Sequence, residues 1–69
     1  MKKFIYKECT CITNSRGRFF KGQTYLYRKL TLENGKKFYY VLYDEKHNIG
    51  FLYGITQFPQ FFKGEFIYE

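Results

Sequence analysis

The stretch Leu30-Thr31-Leu32-Glu33-Asn34-Gly35-Lys36-Lys37-Phe38-Tyr39-Tyr40-Val41-Leu42-Tyr43 decides the fold. Asn34-Gly35 separates two runs rich in leucine, threonine, phenylalanine, tyrosine and valine. Aromatic and β-branched residues favour the pleated backbone, and Asn-Gly supplies the two positive φ angles of a type I′ turn. The spacing therefore predicts a hairpin with a two-residue loop in which Glu33 faces Lys36. Side chains alternate between its two sides. One side carries Tyr25, Tyr27, Lys29, Thr31, Phe38, Tyr40 and Leu42; the other carries Leu26, Arg28, Leu30, Leu32, Lys37, Tyr39, Val41 and Tyr43. In this register Arg28 lies against Val41 in the middle of the strand pair. Burying an unpaired guanidinium there costs several kcal/mol. The first side is thus assigned to the core, with Lys29 near one end where its stem can snorkel. The second side faces solvent or a partner.

Working outward, the same kind of short apolar run recurs without helical periodicity. One strand is expected within Phe4 to Thr13, a short one around Phe51 to Tyr53 after a turn over Asp44 to Gly50, and a last one near Phe66 to Tyr68. Asn14 to Gln23 reads as a long polar loop. Ile55 to Phe62, interrupted by Pro59, reads as a 3₁₀ turn or irregular bend. Nothing marks a linker, so residues 1–69 are expected to form one domain. Five short strands, a long first loop and a tight central hairpin predict an all-β fold, a small five-stranded SH3-like barrel. An OB-fold would usually need more residues and a helix.

The pattern Cys11-Ile12-x-Asn14-Ser15, then Lys21-Gly22-x-x-Tyr25, a tyrosine-rich strand closing in Asp44, and then Tyr53 and Phe58, resembles a family of very small SH3-like β-barrel proteins. They are encoded by phages and mobile elements of Gram-positive bacteria. The resemblance covers residues 9 to 58 and implies the barrel fold more than an activity. The aromatic tail from Gln57 to Glu69 departs from it.

A chain of 69 residues buries only about 60% of the surface its unfolded form exposes, so its core is thin and a deep substrate pocket is not expected. Aromatic residues make up 25% of the chain, which puts some rings at the surface, and the formal charge is +6. That charge favours polyanions or acidic protein surfaces. There is no export signal and no apolar run long enough to span a bilayer, so a reduced, cytoplasmic protein of a bacterial host cell is expected, away from the membrane.

On the outward side, Tyr39 and Tyr43 would stand beside Arg28 and Lys37, an apolar and cationic surface of the kind that binds partners. Rings interleaved with cations are also what single-stranded nucleic-acid binders use. The plainer alternative is that the tail packs on this side. The loop Arg16-Gly17-Arg18-Phe19-Phe20-Lys21 adds three cations, Arg16, Arg18 and Lys21, with Gly17 and Gly22 permitting close backbone approach. Its plainer alternative is a solvated loop whose Phe19 or Phe20 plugs the barrel end.

Cys9 and Cys11 lie two apart, so in a strand they point to one side as small packers, and a bridge between them would be strained. Together with His47 they fall short of the four ligands of a structural zinc site, so neither metal nor cofactor is expected. No nucleophile motif, phosphate loop or paired carboxylates occur, so an enzyme is the least expected class. These features point to a binding module for a nucleic acid or nucleoprotein. The alternatives are a small protein inhibitor that occludes an acidic surface of a host enzyme or defence protein, and a structural component whose tail buries against another copy as a dimer.

Overall fold

The structure, a computed structural model, describes residues 6–64. It is all-β, with five antiparallel strands and one turn of helix. The strands are β1 (Lys7–Cys11), β2 (Thr24–Thr31), β3 (Lys37–Asp44) and β4 (Ile49–Gly54), followed by α1 (Phe58–Phe61) and β5 (Phe62–Gly64). Their order in the sheet is β4-β3-β2-β1-β5, so β4 and β5 are its two edges and the sheet is open between them. The stretch expected to form a 3₁₀ turn or irregular bend holds α1, a single helical turn, with Pro59 in its first turn, where a missing N–H leaves no helical bond unmade. The expected strand near Phe66 to Tyr68 lies outside the described residues.

The central hairpin forms, but one residue out of the expected register. Arg28 pairs with Tyr40 and Tyr27 with Val41. The turn explains the shift. Gly35 N–H donates to Leu32 O at 2.9 Å, Leu32 N–H donates to Lys36 O at 2.8 Å, and Gly35 alone of the loop residues has positive φ, +88°. This is a three-residue loop with a glycine bulge rather than a type I′ turn, because Asn34 stays at negative φ and its side chain accepts from Lys36 N–H at 2.9 Å. A type I′ geometry is instead approached at Arg16-Gly17, whose φ angles are +54° and +67° and whose flanks close through Arg18 N–H to Ser15 O at 3.1 Å.

A one-residue slip moves all of β3 to the other side of the sheet. Tyr39, Val41 and Tyr43 turn towards the Phe19 side with Tyr25 and Tyr27, while Phe38, Tyr40 and Leu42 turn to the opposite side with Leu26, Arg28 and Leu30, where Leu42 is buried and the others are half-buried. The assignment made for β2 holds and that for β3 is reversed. Either phase of β3 is apolar, so local sequence does not choose between them. Ring packing chooses: Tyr39 stacks on Phe58 with ring centroids 4.3 Å apart and Tyr43 on Phe51 at 5.3 Å, while Val41 and Leu42 are buried on opposite sides.

Phe19 is the hub of the core. It comes from the long loop, not from a strand, and meets Tyr25 at 4.9 Å, Phe62 at 5.2 Å and Tyr53 at 5.9 Å in edge-to-face arrangements. Such geometry sets the positive ring edge against a negative face. Beside it the buried Ser15 Oγ and Tyr53 hydroxyl bond each other at 2.7 Å, so neither is left unsatisfied. Phe19 is therefore the expected plug. Phe20 stays exposed.

Cys9 and Cys11 are buried free thiols on the core side, the orientation their spacing predicts. Burial, reinforced by the neighbouring Cys11, pushes the Cys9 thiol from 9.0 up to about 12. Cys11 Sγ donates to Thr13 O at 3.1 Å.

Candidate functional site

The seven residues singled out from sequence do not form one surface. Arg28 lies on the outer side of the sheet, half-buried, with its guanidinium over Tyr40 at 5.5 Å and Tyr6 at 6.0 Å. Tyr39 and Tyr43 are on the opposite side, so the proposed Arg28/Tyr39/Tyr43 surface does not exist. Tyr39 belongs to the core stack with Phe58. Lys37, opposite Thr31, is exposed at the far end of the hairpin on the side of Tyr39.

The loop cations meet a different fate. Arg18 lies over Tyr43 at 5.0 Å, Tyr43 stacks on Phe51 at 5.3 Å, and Arg16 lies over Phe51 at 4.9 Å and Tyr53 at 4.7 Å. These contacts run as a ladder, Arg18 to Tyr43 to Phe51 to Arg16, with a guanidinium at each end. Cation–ring attraction of this kind is worth about 0.5 to 1 kcal/mol at exposed sites. It holds each guanidinium in place while leaving N–H groups at its rim. Arg16 Nη2 also donates to Leu52 O on the edge strand β4 at 3.3 Å. Arg16 occupies a left-handed conformation that costs a residue with a Cβ about 1 kcal/mol. Glycine would suit that backbone better, so the side chain's contacts offset the strain.

Lys21 is exposed in the same loop, and its N–H is accepted by Asn14 Oδ1 at 2.7 Å. Tyr43 thus joins the loop residues rather than Arg28. Phe51, which completes the ladder, and Tyr53, the second ring under Arg16, signal only a strand in the sequence, since their proximity to the loop is a long-range contact.

The outer side makes a second arrangement. The Tyr6 hydroxyl donates to Asn48 Oδ1 at 3.0 Å. The Tyr40 hydroxyl donates to Asn48 O at 3.3 Å and accepts from Gly50 N–H at 3.0 Å. Both rings that flank Arg28 are therefore tied to Asn48, itself at φ +57°. Leu30 and Phe38 lie half-buried and Leu52 exposed on the same side, giving an apolar surface with one cation set between two phenols.

His47 Nδ1 lies 2.9 Å from Asp44 Oδ2, and the hydrogen bonds from His47 hold the Asp44 carboxyl below its ordinary value. Asp44 also accepts from His47 N–H at 3.2 Å, so the pair closes the turn between β3 and β4. Among the described residues no three His, Cys, Asp or Glu side chains gather into a group that would hold a metal ion. No helix among them is long and apolar enough to cross a membrane.

Fold and surface together define a small antiparallel β domain with an arginine-bearing loop braced on aromatic rings. No family model, curated protein or solved structure matches the chain.

Proposed function

We propose that the protein is a non-catalytic binding module, of the phage or mobile-element type its sequence resembles, that engages a nucleic acid or nucleoprotein through the Arg16 to Lys21 loop. The observation that carries this is the ladder Arg18–Tyr43–Phe51–Arg16. Two guanidinia fixed on ring faces lose little freedom when they meet phosphates, and Lys21 adds a third charge beside them. An SH3-like description of the fold is supported by the chain path: a long loop after β1, a meander through β2, β3 and β4, a helical turn, and a last strand returning beside β1.

The test is oligonucleotide binding by fluorescence polarisation as salt is raised. Affinity is expected to fall steeply between about 50 and about 200 mM salt, and each phosphate contact removed should lower the log–log slope by roughly 0.7 to 0.9. Arg16→Gly suits the left-handed backbone, and Arg18→Gln keeps a long polar side chain, so both variants should fold and bind with a shallower slope. Absence of binding at low salt, or binding indifferent to salt, overturns the proposal.

A second reading is favoured by the outer side, where Arg28, Tyr6 and Tyr40 stand among Leu30, Phe38 and Leu52: a protein inhibitor that occludes an acidic surface of a host protein. Rings and arginines amid apolar side chains are what interface hot spots are made of. In the same assays a nuclease-resistant protein partner lost on Tyr40→Ala, but kept by Arg18→Gln, would support this reading against the first.

A further inference from the structure

We infer that the loop's ligand is a single-stranded nucleic acid and that Phe20 is the ring on which one of its bases stacks. This rests on the reading of the loop as a phosphate-binding site and adds what the rest of that ligand must be.

Among the described Phe and Tyr residues Phe20 is the one that is exposed, at 51%; the other Phe and Tyr rings are buried or half-buried, and the exposed imidazole of His47 is held by Asp44 in the β3–β4 turn. The nearby ring faces are already engaged. Tyr43 and Phe51 face each other and carry the two guanidinia, and Tyr53 carries Arg16. The ladder therefore offers charge but no open π-face. A base that is to stack at this loop has Phe20.

The backbone that bears Phe20 is fixed by hydrogen bonds. Its N–H donates to the Tyr25 hydroxyl at 2.9 Å, and its carbonyl accepts from Gln23 N–H at 3.0 Å across a turn whose Gly22 has φ +91°. Lys21 N–H is bound by Asn14 Oδ1 at 2.7 Å and Gly22 N–H by Cys11 O at 2.8 Å. Every N–H from Phe20 to Gln23 thus has an acceptor, and the ring projects from a fixed backbone. It lies close to the ladder along the chain, two residues after Arg18, and Tyr25, which anchors Phe20, and Tyr43, which carries Arg18, both pack on Phe19. An exposed apolar ring flanked in the chain by Arg18 and Lys21 matches an unpaired nucleotide, which presents a π-face and a phosphate together. A duplex presents phosphates, sugars and base edges, but along its length no open base face, its bases being stacked on one another.

The chain contains no tryptophan, so Phe20→Trp creates a single reporter at this position. Titration with single-stranded oligonucleotide is expected to quench that emission, with affinity at least equal to wild type. Phe20→Ala, which removes nothing from the core, is expected to weaken single-strand binding about 5- to 150-fold and to leave duplex binding unchanged. Three results overturn the inference while sparing the phosphate-binding reading: Phe20→Ala without effect on either ligand, an equal loss for both, or binding by Phe20→Trp without quenching. Failure of every nucleic acid to bind the wild type at low salt removes both.

Discussion

Arg16 and Gly50 show how single positions carry opposite constraints. At Arg16 the backbone would accept glycine more readily, and the arginine persists through its contacts with Phe51, Tyr53 and Leu52 O. At Gly50 space forbids any side chain. A Cβ there would meet the Val41 carbonyl oxygen, with Val41 C at 2.7 Å and Leu42 Cα at 2.9 Å, all main-chain atoms that cannot step aside. The glycine lets β4 close against β3 beside the irregularity between Leu42 and Asp44. Gly50→Ala is accordingly expected to cost about 2 to 3 kcal/mol in urea unfolding. Gly54→Ala, whose Cβ would meet only Gln57 Oε1 at 3.5 Å, should cost less than about 1 kcal/mol. Equal effects at the two positions would contradict the close β3–β4 contact.

At the scale of elements, the central hairpin is governed by its loop. Gly35 is the loop residue that needs positive φ, whereas Asn34 contributes one exposed hydrogen bond to Lys36 N–H. Gly35→Ala is therefore expected to destabilise the domain by about 1 kcal/mol or more, and Asn34→Ala by less. A type I′ turn would strain both positions and make the losses comparable, so thermal melts of the two variants distinguish the registers. The register matters because it decides which rings reach the core. With Tyr39 inward, Phe58 of α1 gains a stacked ring beside Tyr27 and Phe62; with Tyr40 inward it would lose that one, and Arg28 would lose the nearer of the two rings it lies over.

For the molecule as a whole, the thin core is built largely from rings around Phe19, with two thiols filling the space under β1 and β5. The burial of Cys9 makes stability depend on pH at the alkaline end. The Cys9 thiol is raised in the fold, so the folded state holds its proton more tightly than the unfolded chain. Its contribution is complete below 9.0 and is lost as pH climbs towards about 12. Between about pH 8 and about pH 10.5 this should remove about 2 kcal/mol. Cys9→Ala lowers stability at both pH values but should lose less between them, and urea unfolding at the two gives the comparison. An identical pH dependence in the variant would mean that Cys9 is not enclosed. At acid pH the sign reverses for Asp44, whose lowered carboxyl supports the fold above its ordinary range and ceases to do so as pH falls through it. Asp44's exposure in the turn keeps that effect small.

Much of this organisation was legible locally. The all-β class, the positions of β1 to β4, the hairpin, the shared side of Cys9 and Cys11 and the placement of Arg28 opposite the Phe19 cluster follow from composition and period-two alternation; that Arg28 is half-buried there does not. Turn chemistry was half legible: Asn34-Gly35 marked the hairpin but misplaced its register, and Arg16-Gly17 carried no comparable signal. β5 escaped notice because Phe62 to Gly64 is short and follows directly on a proline-containing turn. What local sequence determined is where strands form and that cations and rings would share the surface. Only the tertiary structure decided which phase of β3 faces inward and which rings the loop arginines lie on. The reason is physical: Phe38 to Tyr43 is apolar on both sides, so alternation gives no preference, and the choice falls to long-range packing against Phe58, Phe51 and Phe19.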